Sequence, residues 1–347
     1  MKGVVFLGEG ELEVREFPKP VPGPGEVLVQ MKASGICGSD LHGLRQPKAQ
    51  AAQLPKKNPM GHEPCGVIVE LGPAVTGVEV GKRVMVFHYA GCRQCKYCRM
   101  GYEQLCIHGH IYYGASHAKG RGGGHEDFMT VPAHVCMSMP DGLSFEAGAS
   151  ISCGTGTAYA ALKKLDVSGR DTLAVFGQGP VGLSATLLGA AMGARVIAID
   201  VVPYRLELAK KLGAAEVINA KENDSVKAVK ELTHGEGAEA TLECTAIPAV
   251  RAQTIDSAKL FGRACFVGEG GNVMLDNVSQ QVIHKHLTIL GSWTFPTWML
   301  EEAANWIVDR GVRIDDLITH RFRLEQAKEA YQLFQQGQTG KVAFVWV

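Results

Sequence analysis

The sequence predicts an α/β protein of two domains, one a doubly wound parallel sheet of six strands and the other an irregular, mostly antiparallel β-barrel. Three observations predict it. At 347 residues the chain is longer than one hydrophobic core ordinarily serves. Its 42 glycines are used in two ways, as turn punctuation before residue 150 and in phosphate-loop spacing after 175. From residue 172 apolar runs alternate with stretches of helical length, whereas earlier runs are short, β-branched and bounded by Gly or Pro.

In the first part, residues 26–33, 66–70 and 83–87 are such short runs, which predicts strands joined by tight connections. In the second, strands are expected at 172–176, 195–199, 216–218, 240–244, 264–267 and 287–290. Helices at 181–192, 204–212, 225–232 and 249–260 join the first five, each long enough for the crossover that a parallel pair requires. The fifth crossover has no clear pattern. After Gly291 an aromatic stretch at 292–298 precedes helices near 300–308 and 325–334 and a closing strand at 342–347, a mixed pattern assigned to the first domain. The expected domains are residues 1–153 with 291–347, and residues 154–290.

Lysine plus arginine balance aspartate plus glutamate at 35 each, so there is no electrostatic footprint for nucleic acid or an acidic membrane. A small molecule is the expected partner. The longest apolar stretches are interrupted by Arg195, Asp200 or glycines well short of a bilayer span. Residues 1–11 lack the regions of a secretory signal, so the protein is expected in the cytoplasm. In that reducing setting the 10 cysteines are poor disulfide candidates, and clustered ones read as metal ligands.

Gly177-Gln178-Gly179-Pro180-Val181-Gly182 follows the first strand of the parallel sheet and opens a helix, the setting in which G-x-G-x-x-G marks a dinucleotide site. Gly177 serves the tight turn, Gly179 lets backbone approach a pyrophosphate, and Gly182 allows close helix–strand packing. The first helical turn, which Pro180 and Val181 begin, offers free N–H groups to the anion. Asp200 ends the next strand, where a carboxylate can accept from the hydroxyls of an adenosine ribose. That favours NAD, because a 2′-phosphate would meet like charge; Arg205, the next cation after Asp200, is close enough to leave NADP open.

Cys92, Cys95, Cys98 and Cys106 form C-x2-C-x2-C-x7-C, a spacing that wraps four thiolates round a tetrahedral ion within residues 91–107. Four sulfurs leave no open position, so this ion would hold a loop; zinc is the expected metal and an iron–sulfur cluster its competitor. Arg93, Lys96 and Arg99 would offset the negative charge. Cys37, His62 and Cys153 are dispersed, and their spacing alone does not assign them as ligands. Cys65, Cys136, Cys244 and Cys265 lie in apolar or strand-like runs and read as core thiols. His108, His110, His117 and His125 read as loop residues rather than a third metal site, and Arg45, Lys48, Lys56 and Lys57 as a solvated loop rather than an anion site.

Taken together, these residues closely resemble the zinc-containing medium-chain alcohol dehydrogenases. The resemblance runs in order over nearly the whole chain, through Gly35-Ile36-Cys37-Gly38-Ser39-Asp40-Leu41-His42, then Gly61, His62, Glu63, Gly66, Gly72 and Val75, the four-cysteine lobe, Cys153, the glycine loop and Asp200. It implies a GroES-like catalytic barrel and a Rossmann NAD-binding domain. Cys37, His62 and Cys153 match the family's catalytic zinc ligands, Glu63 a carboxylate that can approach the metal during ligand exchange, and Asp40 the partner that orients the His62 ring. Ser39 and His42 match a hydroxyl-to-imidazole proton relay. The implied function is reversible oxidation of a primary or secondary alcohol, or a polyol, to aldehyde or ketone, with hydride transfer to NAD and two zinc ions per chain, one catalytic and one structural.

Gly38 stands where many members carry arginine or histidine, as it does in polyol and threonine branches, whereas Cys153 stands where polyol dehydrogenases often use a carboxylate. The two point to different branches, and no substrate follows from them. Pocket residues are expected among Ser39, Leu41, Tyr112, Tyr113, Trp293 and Phe295. The alternatives are an NADPH-linked aldehyde or enone reductase of the same family, against which Asp200 stands, and a nonenzymatic zinc- and NAD-binding protein, against which Cys37, Ser39 and His42 stand. A homotetramer is expected, with a dimer next.

Overall fold

The apolar runs after residue 172 form one parallel sheet in the computed structural model, which describes residues 1–52, 58–114 and 122–346. Lys56, Lys57 and His117 lie outside the described residues. The sheet order is Glu216–Asn219, Arg195–Asp200, Thr172–Phe176, Ala238–Glu243, Ala258–Phe266 and Thr288–Gly291, every neighbouring pair parallel. The chain starts in the middle and winds outward both ways, so the order reverses at Thr172–Phe176, where the strand ends frame a ligand crevice in folds of this kind. Helices Pro180–Ala191, Pro203–Lys211, Ser225–Leu232 and Pro248–Ser257 supply crossovers and cover the strands. Coverage on both faces is why the strands are near-continuous apolar runs; Phe176, Ile197, Ile199, Ile218 and Val229 pack into one cluster.

Two expectations change in this sheet. The helix foreseen at 249–260 ends at Ser257, because Ala258 is already extended and begins a strand on which Lys259 pairs with Glu239 at 2.5 Å. The fifth crossover contains a single π-helical turn, Ser279–Ile283, too short to leave a helical period in the sequence.

Contacts divide the chain into two units, Thr157–Thr294 holding this sheet, and Met1–Gly156 with Phe295–Val347. In the latter a seven-stranded sheet runs Ile318–Phe322, Lys341–Val345, Glu26–Ile36, Pro64–Leu71, Arg83–Val86 and Cys136–Ser138, with Phe128–Pro132 also paired to Glu26–Ile36. Only its first pair is parallel. Register shifts opposite Pro64–Leu71 bend the long strand Glu26–Ile36 and give the irregularity foreseen for this unit. Phe6, Ile36, Leu44, Tyr331 and Phe344 anchor its core. The closing strand begins one residue earlier than expected, at Lys341, which is buried.

Helix Phe145–Ser150 is capped by Ser144, whose hydroxyl accepts from the Ala147 N–H at 3.0 Å. A π-helical turn, Ile151–Thr155, follows it and carries Cys153. Among the described residues no helix is long and apolar enough to cross a membrane.

Candidate metal centres and active site

The end of Glu26–Ile36 delivers Cys37, the approach to Pro64–Leu71 delivers His62 and Glu63, and the π turn delivers Cys153. Their donor atoms all lie within 4.8 Å of one another, and all four residues are buried. Chain geometry makes this possible at two places. Gly61 sits at φ +91°, and a Cβ on it would overlap the His125 ring. Ser152 Oγ lies 3.1 Å from the Pro64 carbonyl and 3.0 Å from that of Gly148, which ties the π turn to the strand beside His62.

Asp40 organises the cluster. One carboxylate oxygen accepts from the Cys37 backbone N–H at 2.8 Å, and the other accepts from His62 Nδ1 at 2.9 Å. The second bond fixes the tautomer and turns Nε2 toward Ser39 Oγ, 3.1 Å away. His42 is exposed on the short helix Asp40–Arg45. Cys37 and Cys153 share a proton: their hydrogen bond holds the Cys37 thiol well below its usual range, while the same bond and burial push Cys153 well above it. Burial opposes charge on His62, but Asp40 and the Cys37 thiolate outweigh it and raise its pKa well above that of an ordinary histidine. Protons therefore neutralise a buried donor set that a divalent cation would suit.

Cys92, Cys95, Cys98 and Cys106 form the second group, again with all donor atoms within 4.8 Å. Cys98 Sγ is 4.0 Å from Cys92 Sγ and 3.5 Å from Cys95 Sγ. Those spacings bracket the edge of a tetrahedron of zinc–sulfur bonds, about 3.8 Å. All ten cysteines are free thiols, so no disulfide competes. Backbone N–H groups of Gln94 and Cys95 donate to Cys92 Sγ at 3.4 and 3.3 Å. Backbone donors at Cys98 and Ile107 pull the Cys95 thiol down to about 6, whereas burial pushes Cys98 up to about 12. Arg93, Lys96 and Arg99 are exposed on the same loop.

In the other unit the strand Thr172–Phe176 enters the glycine loop, where Gly177 has φ +89° and a Cβ on Gly182 would overlap the Gly177 carbonyl oxygen. Space in front of Gly179 is open, as backbone approach to a pyrophosphate requires. Pro180 and Val181 start helix Pro180–Ala191. Asp200 accepts backbone N–H groups from Gln178 at 2.5 Å, Val201 at 2.7 Å and Val202 at 2.9 Å. A carboxylate has about four acceptor sites, so one is spent on the glycine loop, two on the turn that follows Asp200 itself, and a single one is left, fewer than two ribose hydroxyls would use. Arg205 has a buried Nε without a partner among the described residues.

Family profiles match residues 23–141 to the alcohol dehydrogenase GroES-like domain and residues 180–309 to the zinc-binding dehydrogenases. The uncharacterized zinc-type alcohol dehydrogenase-like protein YphC of Escherichia coli (strain K12) is 39% identical over 351 residues, 99% of this chain and 98% of that protein. The chain belongs to the zinc-containing medium-chain alcohol dehydrogenases. An L-threonine 3-dehydrogenase of Pyrococcus horikoshii is 33% identical and covers 96% of this chain and 94% of its own length. The alcohol dehydrogenase TADH of Thermus sp. ATN1 superposes with a TM-score of 0.88 at 28% identity, over 99% of each chain. Membership makes the chain an oxidoreductase acting on CH–OH groups.

Two residues of this alcohol dehydrogenase escape a reading by motif. Lys341 forms a buried ion pair with Glu63 and donates from Nζ to the Ile36 carbonyl at 3.1 Å. Burial pushes the Glu63 carboxyl up to about 7 against the pull of Lys341, while Glu63 keeps the lysine protonated against the same burial. His88 is the second, with its ring 5.4 Å from that of His62 and its Nδ1 3.2 Å from the Ser152 carbonyl. Burial pushes its pKa down to about 3, so the ring is neutral. Its signal in the sequence is a lone imidazole closing the apolar run at 84–87. Of the expected pocket residues, Tyr112 stands 5.8 Å from the His62 ring, whereas Tyr113 and Phe295 are fully buried, with Phe295 edge-on to Phe87.

Proposed function

We propose that this alcohol dehydrogenase reversibly oxidises a primary or secondary alcohol, polyols included, to an aldehyde or ketone with NAD as hydride acceptor. The observation that carries the reading is the convergence of Cys37, His62 and Cys153 within 4.8 Å, with Asp40 holding the His62 ring. Met1–Gly156 with Phe295–Val347 is the catalytic unit in this reading and Thr157–Thr294 the NAD-binding one. Two thiolates and an imidazole balance a zinc ion and leave a position for substrate, whereas Cys92, Cys95, Cys98 and Cys106 leave none.

Zinc at the first set supplies a Lewis acid that eases loss of the alcohol proton and polarises the carbonyl in reverse. NAD supplies the hydride acceptor. The chain's own residues do the rest. Ser39, next to His62 Nε2, takes the departing proton, and exposed His42 passes it to solvent. Asp40 keeps Cys37 and His62 in place through that transfer, and Glu63 stands as a fourth donor beside them. Asp200 favours NAD because its carboxylate repels a 2′-phosphate; the partnerless Nε of Arg205 is the single feature that favours NADP.

A cytoplasmic homotetramer completes the reading, supported by ten free thiols and by exposed Leu260, Phe261 and Ile289 on the last two strands of the parallel sheet. NADH formation from a panel of alcohols, polyols, 3-hydroxy acids and threonine, with NADP in parallel, tests the reaction. Turnover of at least one alcohol with NAD is expected; NADPH formation in preference to NADH would overturn the cofactor assignment.

A further inference from the structure

We infer that Arg251 is a positioning residue for the nicotinamide half of the dinucleotide, holding together the two loops that leave strands Ala238–Glu243 and Ala258–Phe266. This rests on the NAD-linked reading and adds a residue to it. Each half of a doubly wound sheet takes one mononucleotide of a dinucleotide, at the carboxyl ends of its strands. In that reading Asp200 marks the adenosine half, made by Thr172–Phe176, Arg195–Asp200 and Glu216–Asn219, so Ala238–Glu243 and Ala258–Phe266 belong to the other. The first exit loop, 244–247, lies against the glycine loop: the Cys244 N–H donates to the Phe176 carbonyl at 2.9 Å, and a Cβ on Gly177 would overlap the Thr245 methyl group. The second, 267–272, lies against the first, since a Cβ on Gly268 would overlap the Ala246 backbone nitrogen.

Arg251 stands behind both loops on helix Pro248–Ser257 and is buried. Its planar fork of N–H groups needs acceptors there, and finds them at the two loops. Nη2 donates to the Gly268 carbonyl at 2.6 Å, Nη1 to that of Asn272 at 3.4 Å, and Nε pairs with Glu243 Oε2 at 3.5 Å. Glu243, fully buried at the end of its strand, spends its other oxygen on the first loop. Oε1 accepts from the Thr245 hydroxyl at 2.6 Å, the Ala246 N–H at 2.7 Å and the Thr245 N–H. These bonds hold Ala246 at φ +63°, a left-handed conformation that alanine rarely adopts unaided. The second loop, with Gly268, Gly270 and Gly271, has little stiffness of its own. The guanidinium therefore fixes one loop to the other, and with its donors spent inside the protein it shapes the site without touching the cofactor.

The test measures Kd for NADH and for AMP, which lacks the nicotinamide half, in the zinc-loaded parent, in Arg251→Met combined with Glu243→Gln, and in Arg251→Lys. The double variant removes the clasp without stranding a buried carboxylate, and its glutamine oxygen still accepts from Thr245 and Ala246. Once Gly268 and Asn272 are released, binding of the nicotinamide half must order their loop, so Kd for NADH is expected to rise about tenfold while Kd for AMP stays unchanged. Arg251→Lys, which keeps the charge but not the fork, should fall between, and it carries the test by itself if the double variant does not fold. A purely structural role would weaken both ligands alike or neither; either result overturns the inference and leaves the NAD reading standing. If the parent binds NADPH in preference to NADH, the cofactor assignment falls and the same comparison is read between NADPH and 2′,5′-ADP. A parent that binds neither dinucleotide overturns both.

Discussion

Lys341 and Glu63 form an ion pair in which the side chains are 2% and 0% exposed, between the first residue of the closing strand and the residue after His62. Such a pair is weak evidence for added stability, but breaking it leaves a buried charge uncompensated. Lys341→Met is therefore expected to destabilise the fold by about 3–5 kcal/mol, read from urea unfolding. Lys341→Met with Glu63→Gln should recover much of that loss. A single variant as stable as the parent would show that the pair does not balance charge.

His125 predicts how stability responds to acid. Burial pushes its pKa down to about 4, while its Nε2 lies 3.2 Å from the Gly35 carbonyl and its Nδ1 3.2 Å from the Tyr331 hydroxyl. The carbonyl takes the Nε2 proton and the tyrosine donates to Nδ1, so the neutral ring is the one that fits. An unfolded histidine titrates near 6.5. Between that pH and about 4 the unfolded chain binds the additional proton, so the contribution is complete above 6.5 and is lost as pH falls. The slope from one such group is about 1.4 kcal/mol per pH unit, with His88 acting in the same direction. His125→Gln keeps both hydrogen-bond roles without titrating; urea unfolding between pH 4 and 6.5 should show a flatter slope by that amount.

Asp200 has two jobs, and its replacement should reveal both. Asp200→Ser removes the charge that repels a 2′-phosphate, which should raise the NADP-to-NAD ratio of kcat/KM by at least about tenfold. It also strips acceptors from the N–H groups of Gln178, Val201 and Val202, so a lower melting temperature is expected in the same variant. A changed cofactor ratio with no loss of stability would mean that these bonds are replaced by water.

The proton path is tested by Ser39→Ala and His42→Ala. Positioned proton transfer contributes about 10²-fold or more, so Ser39→Ala should lower kcat by that order with little change in zinc content. His42→Ala should alter the pH dependence of kcat, and added imidazole buffer should restore part of the rate. Unchanged pH profiles in both variants would remove the relay.

The doubly wound sheet was legible because its strands are buried on both faces and leave unbroken apolar runs between helices of crossover length. The start of the strand Ala258–Phe266 is hidden in the sequence because Lys259 and Gly262 break its run, and the pairing of Lys259 with Glu239 becomes visible only when the strands lie side by side. The four clustered cysteines declare themselves by spacing. Cys37, His62 and Cys153 do not: the first two rest on a bent strand and a positive-φ glycine, the third on a π turn, and none of these has a short-range signature. Lys341 carries no signal for a different reason, since a lysine at the head of a strand reads as solvated until Glu63 stands opposite it. Asp200 reads in the sequence as a ribose ligand; its bonds to the Gln178 N–H of the glycine loop and to the Val201 and Val202 N–H groups appear only with the fold.

Metal content of the unaltered chain, Cys37→Ala and Cys95→Ala, measured by elemental analysis beside NADH formation, NAD binding and thermal unfolding, addresses the centre of the account. Two zinc ions per chain are expected in the parent. Cys37→Ala should keep one, bind NAD and form no NADH, whereas Cys95→Ala should lose the other ion and unfold at lower temperature before its chemistry is affected. Full zinc occupancy with turnover in Cys37→Ala would contradict the proposed active site, and a stable, active Cys95→Ala would contradict the structural one.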